Sequence, residues 1–351
     1  MAKALIFTTL PVVGIVRKLQ EQGQCIVTLN VDDALRKCLD ALDRALKHSP
    51  PTSLDEGRKT WLAQSADLGD QLANRAAGVG EDLIWDEVPN RFSHILVFTD
   101  RLLPIDLIPC RGSLLGTECI IAHRDPEGAT LSDLINASQS EEVPLRRIAH
   151  VCAYNPGLTS LHEMDVVSAT LRIDNNLAIE HYFFPVEEVA AGLFHRRDLD
   201  ILHFECHGTE TSLQIDNPYG IAVDVRGLYD RHGPSVFFFL GCRAGARTKS
   251  VAPSFVAKGA KGSIGAYCGF LSGGGSGEVS LTAYYDALYQ GLVGGRTLGE
   301  AVRCGRKTAA PERIYYCAWL LFGNPNISYS PRQFGDRAPA RRSRRAPSAN
   351  D

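Results

Sequence analysis

A histidine and a cysteine each follow a short apolar run in the middle of this 351-residue chain. Residues 199–206 (LDILHFEC) lead directly into His207 and Gly208, and residues 235–241 (SVFFFLG) lead directly into Cys242. Runs of this length and composition, bounded by Gly, Pro or Asp, predict buried strands of a parallel sheet. Reacting groups of open α/β sheets gather beyond the carboxyl ends of the strands, so we expect His207 and Cys242 at one edge of the sheet.

This pair of residue types predicts nucleophilic catalysis. A cysteine peptidase needs a thiolate and a base that returns a proton to the leaving amine, and one histidine can serve both steps. We therefore predict Cys242 as the nucleophile and His207 as the general base and acid. The alternatives are a buried core thiol and a loop histidine bonded to a backbone carbonyl. Their placement at the ends of two successive strands favours the catalytic interpretation.

Two neighbours of His207 need separate interpretations. Strand alternation puts His203 on the same face as Glu205 and His207, so His203 is either a core histidine with satisfied hydrogen bonds or a support that orients His207. Both interpretations stay open. Cys206 faces the other way, and we expect it to pack in the core. It is the rival nucleophile only if Cys242 proves to be buried.

Composition excludes several classes of protein. Hydrophobic residues make up 44% and charged residues 22%, which is ordinary for a globular chain. The ten cysteines have neither disulfide-framework nor zinc-ligand spacing, so we expect no metal site and a reducing, cytoplasmic setting. No run reaches the ~18 apolar residues of a membrane span. We interpret residues 4–16 as containing a first core strand, not a leader.

Apolar periodicity predicts an α/β architecture. Strands are expected at 4–10 and 24–30, followed by helices at 31–47, capped by Asn30, and at 54–77. From residue 94 strands and helices alternate, which predicts a doubly wound sheet. Capping boxes open two further helices, one at Ser160 and Glu163 and one at Thr297 and Glu300. Residues 331–351 carry six Arg and two Asp with a single aromatic side chain, so this tail is predicted to be disordered.

The motifs themselves resemble a known family. HFECHG at 203–208, LGC-x-A-G at 240–245, KGAKGSIGAYCG at 258–269, YYCAWLLFGNP at 315–325 and VFTDRLLPIDLIPC at 97–110 are similar to those of CHAT domains. CHAT domains are caspase-like cysteine peptidases of the caspase–separase clan. The resemblance covers residues 92–327.

The resemblance has implications for the fold and for the oxyanion hole. It implies a caspase-hemoglobinase-like sandwich, in which helices flank a mostly parallel central sheet. It also implies that the backbone N–H groups of Gly208 and Cys242 form the oxyanion hole. We therefore expect a peptidase domain at 92–330 and a small N-terminal strand and helical region at 1–91.

The chain departs from the family pattern in its substrate cleft. Arg243 stands where the family usually has Glu, and Cys268 stands where it tends to have Trp. Relatives that cut after Lys or Arg often carry an acidic residue just before the nucleophile, where this chain has Gly241. A basic P1 residue is therefore not expected, unless Glu205, Asp216 or Asp224 supplies the missing carboxylate.

The resemblance implies a regulated intracellular cysteine endopeptidase without a cofactor. Its substrate would be a specific protein, such as a pore-forming or toxin-like effector of a bacterial defence or cell-death system, and a partner would activate it. The alternative is a catalytically silent caspase-like module that binds a partner. A phosphohydrolase or nucleotide binder is disfavoured, because the SGGGSG loop at 272–277 lacks a phosphate-binding motif. The Arg run at 341–345 gives only a weak electrostatic argument for nucleic acid.

Overall fold

Ten strands form one sheet in this computed structural model. The structure describes residues 3–10, 21, 23–47, 54–78, 80, 82–153, 177–183, 185, 187–214, 223–229, 233–239, 244–247, 249–267, 281–308 and 318–330. Strands are numbered in chain order. Across the sheet they lie in the order β2 (Cys25–Thr28), β1 (Ala4–Thr8), β3 (His94–Phe98), β6 (Ile120–Arg124), β15 (Trp319–Gly323), β14 (Gly262–Ala266), β13 (Val236–Phe239), β10 (Ile201–Glu205), β8 (Arg147–Cys152) and β9 (Ala178–Phe183). Within the described residues six short strands lie outside this sheet: β4 (Pro109–Cys110), β5 (Ser113–Leu114), β7 (Glu141–Pro144), β11 (His207–Gly208), β12 (Leu213–Gln214) and β16 (Ile327–Ser330).

The central sheet is mostly parallel. Strands β2, β1, β3 and β6 pair in parallel, as do β9, β8, β10, β13 and β14, whereas β15 runs antiparallel to β14. Buried side chains point to both faces of these strands, which explains why the sequence shows continuous apolar runs instead of alternation. The predicted α/β class, a mostly parallel sheet flanked by helices, is confirmed.

Helices cover both faces of the sheet. In chain order, the helices of the described ranges are α1 (Asp33–Lys47), α2 (Leu54–Gly78), α3 (Val88–Arg91), α4 (Leu115–Glu118), α5 (Leu131–Asn136), α6 (Glu187–Leu193), α7 (Val251–Ala257), α8 (Leu281–Val293) and α9 (Leu298–Thr308). Helices α1, α2, α6 and α7 pack with Leu202 and Phe204 in one core cluster. Helices α5, α8 and α9 pack with Ile201 and Phe238 in the other. Among the helices in the described ranges, none is both long and apolar enough to cross a membrane.

Two helix starts test the capping predictions. The predicted cap Asn30 is wrong: the Asp32 carboxylate accepts a hydrogen bond from the Leu35 N–H at 2.9 Å, and α1 begins at Asp33. At α9 the predicted box is confirmed, because the Thr297 N–H donates to Glu300 at 2.9 Å and the Glu300 N–H donates to the Thr297 hydroxyl at 3.3 Å. The predicted box at 160–163 lies outside the described residues.

The first ninety residues contribute to the same sheet and core as the rest of the chain. Strand β1 pairs with β3 through Leu5 and Ile95, and helices α1 and α2 pack in the core cluster that also holds Phe204. The boundary between residues 91 and 92 stays a prediction. The tail at 331–351 lies outside the described residues.

The strand order reverses at two places. After β1 the chain forms β2 on one side of it and then β3 on the other, and after β8 it forms β9 on one side and then β10 on the other. We call these the first switch point, at β1 and β3, and the second switch point, at β8 and β10. In open α/β sheets, crevices that bind ligands lie outside the carboxyl ends of strands at such points.

Candidate active site

The two strands that precede the predicted catalytic residues are direct neighbours. Strand β10 pairs in parallel with β13, and Phe204 is the register partner of Phe239. His207 comes three residues after Phe204, and Cys242 comes three residues after Phe239. Neighbouring strands lie about 4.8 Å apart, so β13 ends beside β10, the strand of the second switch point.

The chain beyond β10 turns back in a short hairpin. Strand β11 pairs antiparallel with β12, with Gly208 opposite Leu213. The Leu213 N–H and C=O both bond to the backbone of Val223 at 2.9 Å, which adds a third segment to this hairpin. The backbone of His207 is therefore held in an ordered ribbon, while its side chain lies outside the described residues.

The chain beyond Cys242 packs tightly against the end of β14. The Gly245 N–H donates to the Ala266 carbonyl at 2.8 Å, and a Cβ on Gly245 would stand 2.5 Å from the Gly265 carbonyl oxygen. On the other side, the Ala252 N–H of α7 donates to the Ala244 carbonyl at 2.8 Å. Position 245 thus requires glycine, because the two backbones approach closely. This contact fixes the position of Gly245, three residues after Cys242.

The segments after His207 and after Cys242 are joined to each other. The Val251 N–H donates to the Glu210 carbonyl at 3.0 Å, and the Arg247 guanidinium pairs with the Glu210 carboxylate at 2.9 Å. We call these two contacts the Glu210–Arg247 tie. No sequence motif predicts this contact, because the two residues are 37 positions apart and each is an ordinary charged residue of a loop.

His203 lies inside the core, between the sheet and α8. Its Nδ1 is 2.7 Å from the Tyr289 hydroxyl, and its ring stands edge-on to His150 and Tyr285 with centroids 5.1 Å apart in each case. Burial holds the pKa of His203 well below its ordinary value, and the positive charge that His150 and His181 can carry adds to this effect. His203 is therefore neutral at physiological pH, and its role as a support of His207 stays a prediction.

Glu205 forms part of a buried polar row with two histidines of neighbouring strands. Its Oε2 lies 3.3 Å from the His150 Nε2, and the His150 Nδ1 lies 3.3 Å from the His181 Nδ1. These side chains follow the register of β10, β8 and β9, where His203, His150 and His181 are cross-strand partners. The sequence does not predict that these three side chains lie in a row, because their alignment depends on strand register.

Other predicted residues divide between the core, the surface and undescribed segments. Cys206 is buried in the first core cluster, on the face opposite His203 as predicted. Asp224 caps the turn Val225–Gly227 and pairs with Arg226 at 2.6 Å, and the hydrogen bond from Arg226 is the main cause of its lowered pKa. Asp216 and the proposed site residues Cys242, Arg243 and Cys268 lie outside the described residues. In the described ranges no group of three His, Cys, Asp or Glu side chains is arranged to hold a metal ion.

Comparison with known proteins identifies the class of the second half of the chain. Residues 176–330 match the model of Peptidase family C25. This stretch includes β10, β13 and the candidate site, so this part of the chain is similar to a peptidase family. No curated protein matches the sequence.

Solved structures give a distant likeness. Similar chains occur in two crystal structures of the Saccharomyces cerevisiae separase–securin complex, at 3.0 and 2.6 Å resolution. They are 14% identical to this chain over 85% of its length, with TM-scores of 0.46 and 0.43. This chain spans only 22% and 21% of the length of those chains.

Proposed function

We propose that this protein is a cysteine endopeptidase of CHAT type, with Cys242 as nucleophile and His207 as general base and acid. The observation that carries the proposal is the register of β10 and β13, which starts both loops from paired residues, Phe204 and Phe239. Strand β10 ends at the second switch point and β13 ends beside it, both within the residues that match a peptidase family. The Glu210–Arg247 tie supports the proposal, because it holds the two loops together.

The reaction would proceed through a thioacyl-enzyme. The Cys242 thiol gives its proton to His207, the sulfur attacks the scissile carbonyl carbon, and the backbone N–H groups of Gly208 and Cys242 bind the oxyanion that forms. The imidazolium of His207 gives its proton to the leaving amine as the C–N bond breaks. His207 then removes a proton from a water molecule that attacks the thioester, which releases the acid product and restores the thiol.

The proposal extends to the substrate and to the setting of the enzyme. Arg243 and Cys268 would shape the substrate cleft. Because Asp224 is paired with Arg226 and Glu205 lies next to His150, neither carboxylate is free to select a basic P1 side chain. The substrate would be a specific protein, such as a pore-forming or toxin-like effector of a bacterial defence system. The enzyme would act in the cytoplasm, after a partner has ordered the cleft.

Labelling by peptidyl chloromethylketones tests the proposed nucleophile. The intact mass of the wild-type protein should rise by one inhibitor mass, and Cys242→Ala should show no such increase. Cys206→Ala is the matched control, because Cys206 is a buried thiol near the same strand ends, and it should label like the wild type. Equal labelling of wild type and Cys242→Ala would overturn the proposal.

A catalytically silent module that binds a partner is the second candidate function. It is favoured by Arg243 and Cys268, which replace the Glu and Trp usual at these positions in the family. Absence of labelling in the wild-type protein, both alone and in lysate of the native host, would support this candidate over the peptidase.

A further inference from the structure

The hairpin that follows β10 presents a main-chain edge directly beside the predicted base. Strand β11 (His207–Gly208) pairs antiparallel with β12, and Gly208 lies opposite Leu213. In an antiparallel ladder, opposite residues alternate between pairs that exchange both backbone hydrogen bonds and pairs that exchange none. The direction of the main-chain groups of Leu213 decides which kind of pair it forms with Gly208.

Leu213 turns its main-chain groups away from Gly208. Its N–H donates to the Val223 carbonyl at 2.9 Å, and its own carbonyl accepts from the Val223 N–H at 2.9 Å. The Thr209 N–H donates to the Ser212 carbonyl at 2.9 Å, as expected for the hydrogen-bonded pair one position further along the ladder. Gly208 and Leu213 are therefore a non-bonded pair, and both the N–H and the carbonyl of Gly208 point away from β12.

The turn of the hairpin holds this edge in a fixed direction. The Thr209 hydroxyl accepts from the N–H groups of Thr211 and Ser212 at 3.2 Å in each case, and it lies 2.8 Å from the Ser212 hydroxyl. The Val251 N–H at the start of α7 donates to the Glu210 carbonyl at 3.0 Å, which joins the turn to the body of the fold. The donor and the acceptor that point away from β12 are thus presented by an ordered segment.

We propose that the Gly208 carbonyl accepts a hydrogen bond from a main-chain N–H of the substrate, near the scissile bond. This bond presupposes the proposed peptidase function, in which the N–H of Gly208 binds the carbonyl oxygen of the P1 residue. Gly208 is half-buried and directly follows His207. The N–H and the carbonyl of a residue in a strand point to the same side. A substrate whose carbonyl binds the Gly208 N–H therefore also passes the Gly208 carbonyl.

Two N–H groups of an extended substrate lie on the required side. They are those of P1 and P2′, because successive residues of an extended chain direct their main-chain groups to opposite sides. A substrate that runs antiparallel to β11 would donate its P1 N–H, and a substrate that runs parallel would donate its P2′ N–H. In either case proline at the donating position would lose the bond, because it has no N–H. The Gly208 carbonyl would thus favour polypeptides without proline at that position.

Carbonyl NMR of the full chain reads this hydrogen bond directly. The sequence contains two Gly-Thr pairs, Gly116–Thr117 and Gly208–Thr209. Labelling glycine with ¹³C at the carbonyl and threonine with ¹⁵N therefore gives two carbonyl–amide correlations. Thr209→Ser keeps the hydroxyl of the turn but removes the Gly208 signal, which assigns both. Gly116 is the internal control, because its carbonyl accepts from the buried Arg306 guanidinium at 3.2 Å.

The probes are the peptidyl chloromethylketone that labels Cys242 fastest and diglycine amide, which represents P1′ and P2′. The Gly208 carbonyl signal should move downfield in the Cys242 adduct if P1 is the donor, or only after diglycine amide is added if P2′ is the donor. The Gly116 signal should stay in place. Matched probes that lack the N–H, a chloromethylketone N-methylated at P1 and glycylsarcosine amide, should leave the Gly208 signal unmoved. The N-methylated partner of the active probe should also react or bind about two- to tenfold more weakly, which is the value of one net hydrogen bond.

The outcomes separate this bond from the peptidase chemistry. A Gly208 signal that stays in place with both probes, although Cys242 is labelled, would overturn the proposal and leave the proposed peptidase intact. Equal shifts with a probe and its N-methylated partner would also overturn it. Absence of Cys242 labelling would overturn the proposed peptidase and this bond together.

Discussion

His203 lies close to His207 in the sequence, but the contacts of its side chain are those of a buried core residue. Its Nδ1 is hydrogen-bonded to Tyr289, and aromatic rings from β13 and α8 surround it. Burial of an imidazole favours its neutral form. This residue should therefore make folding sensitive to acid, because the unfolded chain can take up a proton that the folded chain refuses.

The pH dependence of stability tests this statement. The folded pKa of His203 lies below the unfolded value of about 6.5, so its contribution is fully present above pH 6.5 and is lost as pH falls toward the folded pKa. In His203→Phe the free energy of unfolding should fall less steeply between pH 6.5 and 5, by up to about 1.4 kcal/mol per pH unit. Urea unfolding across this range measures the difference. His150 and His181 are present in both proteins, and identical slopes would contradict the assignment.

At the scale of elements, the Glu210–Arg247 tie joins the loop after β10 to the loop after β13. The Arg247 side chain is 61% exposed and the Glu210 side chain 25%, so the ion pair contributes less than about 1 kcal/mol to stability. We expect the ion pair to act by positioning the two loops, because a small misplacement of catalytic groups strongly lowers the reaction rate.

Arg247→Met should therefore affect chemistry more than stability. We expect the rate of Cys242 labelling to fall about three- to tenfold, with a change in the free energy of unfolding below about 1 kcal/mol. Arg36→Met is the control, because Arg36 pairs with Asp33 on the exposed side of α1, far along the sheet from these loops. Labelling rates that fall equally in the two variants would show that the tie does not position the site.

The contact between Gly245 and β14 fixes the far end of the Cys242 loop. A methyl group at this position would stand 2.5 Å from the Gly265 carbonyl oxygen, so Gly245→Ala must displace backbone. We expect a loss of about 1–3 kcal/mol of stability and slower labelling. Gly192→Ala on α6 meets no atom within 4 Å and should be neutral or slightly stabilising. Urea unfolding of both variants measures this, and equal stability would contradict the packing argument.

At the scale of the whole molecule, a buried ion network joins distant parts of the chain. Asp106 follows β3, His123 lies on β6 and Arg306 lies on α9. The Arg306 guanidinium also donates to the carbonyls of Gly116 and Trp319. The network therefore connects the early strands with the last helix and with β15.

Removal of one charge from this network should be costly. Asp106→Asn leaves Arg306 buried without its counter-ion, and we expect a loss of about 3–5 kcal/mol. Asp224→Asn, which breaks the exposed pair with Arg226, should cost less than about 1 kcal/mol. Chemical denaturation of both variants gives the comparison. A loss near zero for Asp106→Asn would mean that the network does not hold these elements together.

The fold was largely predictable because continuous apolar runs mark the buried parallel strands. The strands at 201–205 and 236–239 fall within the predicted runs, and α9 begins with the predicted capping box. Strand order was not predictable, because register and sheet neighbours depend on contacts between distant residues. For the same reason the sequence does not predict that β1 and β2 pair in the same sheet as β3.

The sequence indicates a candidate residue where a reactive side chain directly follows a predicted strand. His207 and Cys242 each follow an apolar run, which is a local signal. The Glu210–Arg247 tie and the polar row of Glu205, His150 and His181 arise from spatial proximity alone. Individually these residues are typical of loops and cores, so the sequence carried no signal for them.

The pH dependence of iodoacetamide alkylation at Cys242 tests the proposed dyad of Cys242 and His207 most directly. Peptide mass spectrometry measures the alkylation in wild type and His207→Ala. If His207 shares a site with Cys242, its imidazolium stabilises the thiolate, and the wild-type rate should stay high well below pH 7. The His207→Ala rate should instead rise only with the ordinary thiol pKa of about 8.5. Superimposable profiles for the two proteins would contradict the proposed dyad.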